Sequence, residues 1–340
     1  MNSYKIALLP GDGIGPELTE ATLHVLEAIQ KRFEVSLVIE NVEAGDDCLE
    51  RRGIALPEET IATIRASDAC LKGPVGETAA DVIVKLRLLF DLYANIRPIK
   101  SYPSLPVIKP NIDFVIVREN TEGLYKGIEF MLDDVAIGVR VITKKGSERI
   151  AKKAFELAEK SARKKVTAVH KANVLKITCG LFAESCRNVA KQYPNIEYEE
   201  QYVDATAMRL IREPENFDII VTTNMFGDIL SDEAAQLIGG LGMAPAANLG
   251  EDSAIFEPVH GSAPDIAGKK IANPCSMILA SKMMFDWLGD KNMDSDCHNA
   301  AKSIEASIIN ALQKGDIPRD PRDFKTMEIA YAITREILNE

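Results

Sequence analysis

Lys5-Ile-Ala-Leu-Leu-Pro-Gly-Asp-Gly-Ile-Gly-Pro-Glu17 opens as an apolar run that ends at Pro10, passes three glycines, and continues into an amphipathic stretch over residues 18–33. The pattern predicts a buried strand, a glycine turn and a helix, the opening of an α/β sheet. A dinucleotide fingerprint needs Gly-x-Gly-x-x-Gly, whereas Gly11, Gly13 and Gly15 are spaced Gly-x-Gly-x-Gly with Pro16 directly behind them. This segment is therefore not a Rossmann turn.

Working outward, strand patterns are expected at 35–42, 67–72, 113–117, 165–170, 198–203 and 217–221. Helices are expected at 57–66, 147–164, 277–287, 297–312 and 326–338, and one over 76–98 that presents Ile83 and Arg87 on one face and leads to Arg97. Residues 239–248 read as a glycine-rich helix exit and loop. Residues 256–274 read as a long irregular segment carrying His260, Asp265 and Asn273, and loops so rich in special residues are seldom mere connectors. There is no internal repeat or low-complexity segment.

With 340 residues, 46% of them hydrophobic, the chain can bury a large core and suggests two domains. No apolar run reaches the length of a membrane span, and the N-terminus lacks the pattern of a secretory signal, so a cytoplasmic protein away from membranes is expected. The six cysteines form no Cys-x-x-Cys pair and have no histidine at zinc-finger spacing, which reads as reduced, buried thiols. A net charge of -11 argues against nucleic acid as a partner, which would need a concentrated basic surface.

The stretch Thr222-Thr-Asn-Met-Phe-Gly-Asp-Ile-Leu-Ser-Asp-Glu-Ala-Ala235 places Asp228 and Asp232 four residues apart, hence on one helix face. Two carboxylates so placed suit a hard divalent cation, although taken alone they read first as a solvated acidic helix start. Arg87, Arg97 and Arg118 could each be a surface arginine with a buried stem. Converging on one pocket, they would instead clamp carboxylates, because the guanidinium fork matches two oxygens at once. Arg118 stands at a strand exit and is followed by Tyr125; His170-Lys171 and Asp204 also follow strands.

Leu9–Glu17, Leu92-Tyr-Ala-Asn-Ile-Arg-Pro98, Val117-Arg-Glu-Asn-Thr-Glu-Gly-Leu-Tyr125, His170-Lys-Ala-Asn-Val174, Phe226-Gly-Asp-Ile-Leu-Ser-Asp232 and Glu257-Pro-Val-His-Gly-Ser-Ala-Pro264 together resemble the β-decarboxylating dehydrogenases. That family includes isocitrate, 3-isopropylmalate, homoisocitrate and tartrate dehydrogenases, and the residues 72–87 are most similar to its archaeal isopropylmalate members. The resemblance implies a two-domain α/β fold distinct from the Rossmann fold, with the active site in the cleft between domains. Residues 1–92 plus 239–340 would form a large cofactor-side domain and 93–238 a small dimerisation and catalytic domain. A homodimer with shared active sites is implied, alone or as a dimer of dimers.

By the same resemblance Asp228 and Asp232 hold Mg or Mn together with Asp204 of a second subunit. Arg87, Arg97 and Arg118 bind the substrate carboxylates, Lys171 from the second subunit acts as base, and Tyr125 acts as acid. The cofactor would be NAD, met by Asn173, Glu257, His260, Gly261, Ala263, Asp265 and Asn273. Asp265 suits ribose hydroxyls and repels a 2′-phosphate, and NADP users of the family place Lys and Tyr where Asp265 and Ile266 stand here. Ile83 and Val84 would form an apolar patch for an isopropyl group, where a third carboxylate would be desolvated.

These features imply oxidative decarboxylation of 3-isopropylmalate in leucine biosynthesis. The alternatives are a homoisocitrate or isocitrate dehydrogenase, or a non-catalytic regulatory subunit of such an enzyme. Three stretches depart from the pattern. Ala80, Ile83 and Val84 replace the Glu-x-x-Leu-Leu of many bacterial isopropylmalate enzymes, and Asp204-Ala-Thr-Ala-Met208 is as similar to homoisocitrate enzymes. Ile317-Pro-Arg-Asp-Pro-Arg-Asp323 stands where the family usually has an Asp-Leu-Gly-Gly turn.

Overall fold

Alternating strand and helix patterns produce one large sheet in the computed structural model, which describes residues 2–320 and 323–339. Pro321 and Arg322, within the divergent C-terminal turn, thus lie outside the described residues. The strands are β1 (Asn2–Leu9), β2 (Val35–Asn41), β3 (Ala69–Lys72), β4 (Ala94–Lys100), β5 (Asp113–Glu119), β6 (Glu129–Leu132), β7 (Val135–Gly138), β8 (Lys165–His170), β9 (Glu197–Tyr202), β10 (Ile219–Thr222), β11 (Pro245–Leu249) and β12 (Ala254–Pro258). The helices are α1 (Gly15–Arg32), α2 (Asp46–Arg52), α3 (Glu58–Arg65), α4 (Lys85–Leu89), α5 (Lys144–Lys160), α6 (Thr178–Ala190), α7 (Val203–Arg212), α8 (Asn224–Leu237), α9 (Cys275–Asn292), α10 (Ser295–Lys314) and α11 (Thr326–Asn339).

The ten-stranded sheet runs β2-β1-β3-β12-β11-β4-β5-β10-β8-β9, with β6 and β7 in a separate hairpin. Its outer arms are parallel, while β12, β11, β4 and β5 pair antiparallel in the middle. An antiparallel centre departs from the parallel order of a Rossmann sheet. Central strands are covered on both faces, as the unbroken burial of β10 and β11 requires of near-continuous apolar runs. In α1, Pro16 suits the first turn, Lys31 and Arg32 complement the C-terminal dipole, and Leu18, Ala21, Val25 and Ile29 bury one stripe.

The strands drawn from residues 1–92 and 239–340 all lie on one side of the β11–β4 pairing, and those of the main sheet from 93–238 on the other. Ladder pairs Ala247–Ile96, Asn248–Asn95 and Leu249–Ala94 cross that join.

Several local readings are corrected. Residues 76–98 do not form one long helix: a π turn, Ala80–Val84, leads into the five-residue α4, and Arg97 sits on β4. The chain reverses at Asp91, whose φ of 44° ends any helix. The glycine-rich exit contains β11, because after Gly239 and Gly240 the small residues Ala246 and Ala247 fit a strand covered on both sides. The start of the irregular segment is β12. Asp204 lies in the first turn of α7. The helices α2 and α6 and the β6–β7 hairpin were not signalled by the pattern.

The opening glycine turn has a packing role. Gly13 (φ 57°) lies against the 262 loop so closely that an added Cβ would stand 2.1 Å from the Ser262 carbonyl oxygen, and Ile14 N–H donates to that oxygen at 2.9 Å. The turn thereby anchors the loop carrying His260 to Asp265.

Candidate active site

A cavity of about 350 Å³ opens where β3, β4, β5, β12 and α8 meet the 74–87 segment. Strand alternation delivers its charges: Asn95 and Arg97 project from the same face of β4, and Arg118 from the adjoining β5, where Asn95 pairs with Arg118. Arg87, Arg97 and Arg118 all line the cavity and are buried, as the clamp reading required and the surface reading did not.

Each arginine is held by its own amide oxygen, and two of them share Asp228. Arg118 Nε and Nη2 donate to Asn224 Oδ1 at 3.0 and 2.7 Å, and Nη1 pairs with Asp228. Arg97 donates to Asn95 Oδ1 at 2.9 Å and to Ser231 Oγ at 2.5 Å, and pairs with Asp228 at 3.2 Å and Asp232 at 3.4 Å. Arg87 donates to Asn248 Oδ1 at 3.0 Å and to Glu257 Oε1 at 3.2 Å.

Behind them runs a buried polar spine that the sequence did not disclose. Asn248 Oδ1 also accepts from Asn95 and Asn120, and its amide donates to Glu257 at 2.8 Å. Lys72 Nζ, also lining the cavity, donates to Glu257 Oε2 at 2.7 Å. Burial would raise the Glu257 carboxyl, but Lys72 and then Arg87 outweigh it and hold it at about 2. Glu257 is therefore an anion that fixes two cations.

Tyr125 lines the cavity, and its hydroxyl donates to Asp228 Oδ2 at 2.5 Å. Burial, then this bond to an anion, raise the Tyr125 pKa, so the phenol keeps its proton at neutral pH. Burial would also raise Asp228, and Arg118 and Arg97 reverse the sign. Asp232, more exposed on the next turn of α8, is raised by burial and by the Asp228 charge against the pull of Arg97. Their shared face matches the expected spacing.

Two carboxylates one helical turn apart, one of them raised in part by its neighbour's charge, have the donor chemistry for a hard dication. Among the described residues no group of three or more His, Cys, Asp or Glu is disposed to hold a metal. Asp204 instead accepts from Lys171 Nζ at 2.5 Å; neither of these two lines the cavity, nor does Asn173 beside them.

Ile83 and Val84 also line the cavity, with Val75, Ala79 and Ala80, a stretch of small and branched apolar groups. His260 and Gly261 line it as well. Burial pushes the His260 ring below its usual pKa, so it is neutral near pH 7, with Nε2 2.9 Å from Ser276 Oγ. Ala263, with φ of 41°, and the exposed Asp265 continue along the same loop outside the cavity. Asn273 Oδ1 accepts from Cys275 N–H at 3.0 Å, at the start of α9, and its amide reaches Met243 Sδ at 3.4 Å. This surface has the residue types to receive an adenosine: an exposed carboxylate, a neutral ring and closely packed small groups.

Residues 5–340 match the isocitrate/isopropylmalate dehydrogenase family. The chain is 52% identical to the 3-isopropylmalate dehydrogenase of Methanothermobacter thermautotrophicus, with 99% of each covered, and 50% identical to the homoisocitrate dehydrogenase of Methanocaldococcus jannaschii, covering 98% of this chain and 97% of that one. The crystal structure of isocitrate dehydrogenase from Methylococcus capsulatus superposes with a TM-score of 0.92 at 44% identity, covering 98% of this chain and 99% of that one. The chain belongs to the isocitrate/isopropylmalate dehydrogenase family. It is an oxidoreductase of the decarboxylating kind. Among the described residues no helix is long and apolar enough to cross a membrane, and all six cysteines are unpaired and buried.

Proposed function

We propose that the protein oxidatively decarboxylates 3-isopropylmalate to 4-methyl-2-oxopentanoate, with NAD as oxidant and Mg or Mn as cofactor, in leucine biosynthesis in the cytoplasm. The observation that carries this reading is that one cavity is lined both by three buried arginines and by a run of apolar residues, Val75, Ala79, Ala80, Ile83 and Val84. A malate carrying a branched alkyl group presents two carboxylates to the first and hydrocarbon to the second. A third carboxylate against the apolar run would lose hydration without a partner, at a cost of roughly 1–3 kcal/mol or more.

The residues divide the work. Arg87, Arg97 and Arg118 hold the carboxylates in fixed forks, so that the carboxylate on C3 stands clear to leave as carbon dioxide. Asp228 and Asp232, with the partner subunit's Asp204, would hold the divalent cation. When bound, the cation supplies Lewis-acid stabilisation of negative charge at the C2 oxygen, and NAD supplies the acceptor for the C2 hydride. The partner subunit's Lys171 takes the proton of the C2 hydroxyl. Tyr125 Oη, protonated at neutral pH, returns a proton to C3 after carbon dioxide departs. Asp265 selects NAD over NADP.

We infer a homodimer, because Lys171 and Asp204 are bonded to one another outside their own protomer's cavity. Exposed apolar residues Val174, Ile177, Met208 and Ile211 surround that pair in sequence, and the hairpin residues Phe130, Met131 and Leu132 are likewise exposed. Residues 1–92 with 239–340, and 93–238, would move as two bodies about the β11–β4 join.

A tricarboxylate such as homoisocitrate is the second reading, favoured by Lys72, a cation outside the apolar helix that lines the same cavity. Its ammonium is already engaged by Glu257 and by the Gly73 carbonyl, which makes it the weaker reading. NADH formation with Mg and 3-isopropylmalate, 3-methylmalate, isocitrate or homoisocitrate, compared by kcat/KM, separates the two. Preference for a tricarboxylate would overturn the first reading, and no turnover with any acid would point to a regulatory subunit.

A further inference from the structure

The apolar lining is formed by residues on either side of a short segment that the cavity itself does not touch, Gly76-Glu-Thr78. Val75 precedes this segment, and Ala79, Ala80, Ile83 and Val84 follow it. The π turn that carries Ala80, Ile83 and Val84 has no side-chain cap of its own, and neither has α4 behind it. The turn that leads into the π turn is instead held from elsewhere in the chain: Asp46, at the start of α2, accepts from Glu77 N–H at 2.9 Å, and from Thr78 N–H at 2.8 Å and Thr78 Oγ at 2.7 Å. Gly76 makes the approach feasible, since an added Cβ would stand 2.0 Å from Asp46 Oδ2.

Asp46 is itself fixed. The Asp12 carboxylate, from the opening glycine turn, accepts from Asp46 N–H at 2.9 Å, Asp47 N–H at 3.2 Å and Gly76 N–H at 3.0 Å. Two carboxylates in series thus tie the glycine turn to α2 and α2 to the entrance of the apolar wall.

We propose that Asp46 is a positioning residue for substrate selection, capping the 77–78 turn that leads into the π turn and so setting where Ile83 and Val84 stand. A carboxylate before a helical turn satisfies free donors and complements the dipole. Loss of that cap lets the turn shift toward or away from the substrate's alkyl group. The proposal rests on the reading that this wall receives that group.

The test uses the full-length enzyme with Asp46→Asn, Thr78→Val and their combination, assayed with 3-isopropylmalate and 3-methylmalate. Asp46→Asn should lower the isopropyl-to-methyl ratio of kcat/KM about tenfold, mostly through KM for the larger acid, since a few methylenes in an apolar pocket are worth that much. KM for NAD should stay put. Thr78→Val should move the ratio the same way by less, and the combination no further than Asp46→Asn alone, as expected for partners in one bond. Amide exchange across residues 77–84 should accelerate in both single variants. An unchanged ratio in soluble Asp46→Asn, with only a lowered Tm, would reduce Asp46 to a structural residue and overturn the proposal. If that variant does not fold, Thr78→Val decides by the same two readouts. If the wild-type protein turns over neither acid, the functional reading fails instead, and exchange over 77–84 still tests the cap: unchanged exchange would overturn it.

Discussion

The arginine cavity and the Lys171–Asp204 pair are made of opposite materials. In the cavity, Arg87, Arg97 and Arg118 are buried and each guanidinium is matched to partners of the same chain. The pair at the end of β8 and the start of α7 is partly open to solvent, and exposed apolar side chains follow it. A buried charge must find its partners as the protomer folds, because an unpaired one costs several kcal/mol. An exposed pair has no such constraint and is free to be completed by another surface. The contrast suggests which half of the chemistry a protomer contains and which half it lends.

The sharpest way to break that contrast is to disable the halves on different chains. Lys171→Ala should cut kcat about a thousandfold, within the usual range for a positioned acid–base group. Tyr125→Phe should cut it by about a hundredfold on the same grounds. Mixing the two variants, with dissociation and reassociation of subunits, should restore activity, because one site of each mixed dimer would draw Tyr125 from the Lys171→Ala chain and Lys171 from the Tyr125→Phe chain. Recovery absent despite confirmed mixed dimers would place both residues in one protomer's site and remove the contrast. Near wild-type turnover by Lys171→Ala would dismiss it as the base.

How much of this was legible beforehand follows from the range over which each signal acts. The strand at 165–170 and the Asp228–Asp232 face were readable, since both depend on spacing within a few residues. The helix around Arg87 was overextended because apolar residues continue through Leu92 while the left-handed turn at Asp91 leaves no periodic mark. β11 was hidden by small residues whose strand character comes from β4 and β12 on either side. Resemblance supplied the arginine trio as a group; what it left unseen is what holds them. Asn248 and Lys72 have no local signal, as their meaning arises only when Glu257 is brought to them from 9 and 185 residues away.

A smaller effect is expected at the surface proposed to meet the cofactor, where Asp265 is exposed and free of the constraints on buried charge. Asp265→Lys with Ile266→Tyr should move the NADP-to-NAD ratio of kcat/KM about a hundredfold, since removing a like-charge encounter with a 2′-phosphate is worth several kcal/mol. Folding should be unaffected, judged by Tm. No movement of the ratio would detach Asp265 from cofactor choice.

The smallest expected effect bears on stability and tests whether the cavity is self-contained. Glu257 has its carboxyl depressed from an ordinary 4.5 to about 2 by Lys72 and Arg87. A depressed acid contributes stability that is fully present above the unfolded value and lost as pH falls toward the folded one; here that is about 3 kcal/mol by linkage, fading from about pH 5 downward. Glu257→Gln leaves two buried cations facing a neutral amide, so it should be less stable than wild type at pH 7. In urea titrations from pH 7 to 3 the difference should narrow below about pH 4.5, because only the wild-type protein has that proton to take up. A difference that stays constant across the range would mean that Glu257 does not carry the charge balancing Lys72 and Arg87. The arginine face would then need its counter-charge from bound substrate or a second subunit, and the cavity would resemble the Lys171–Asp204 pair more than it differs from it.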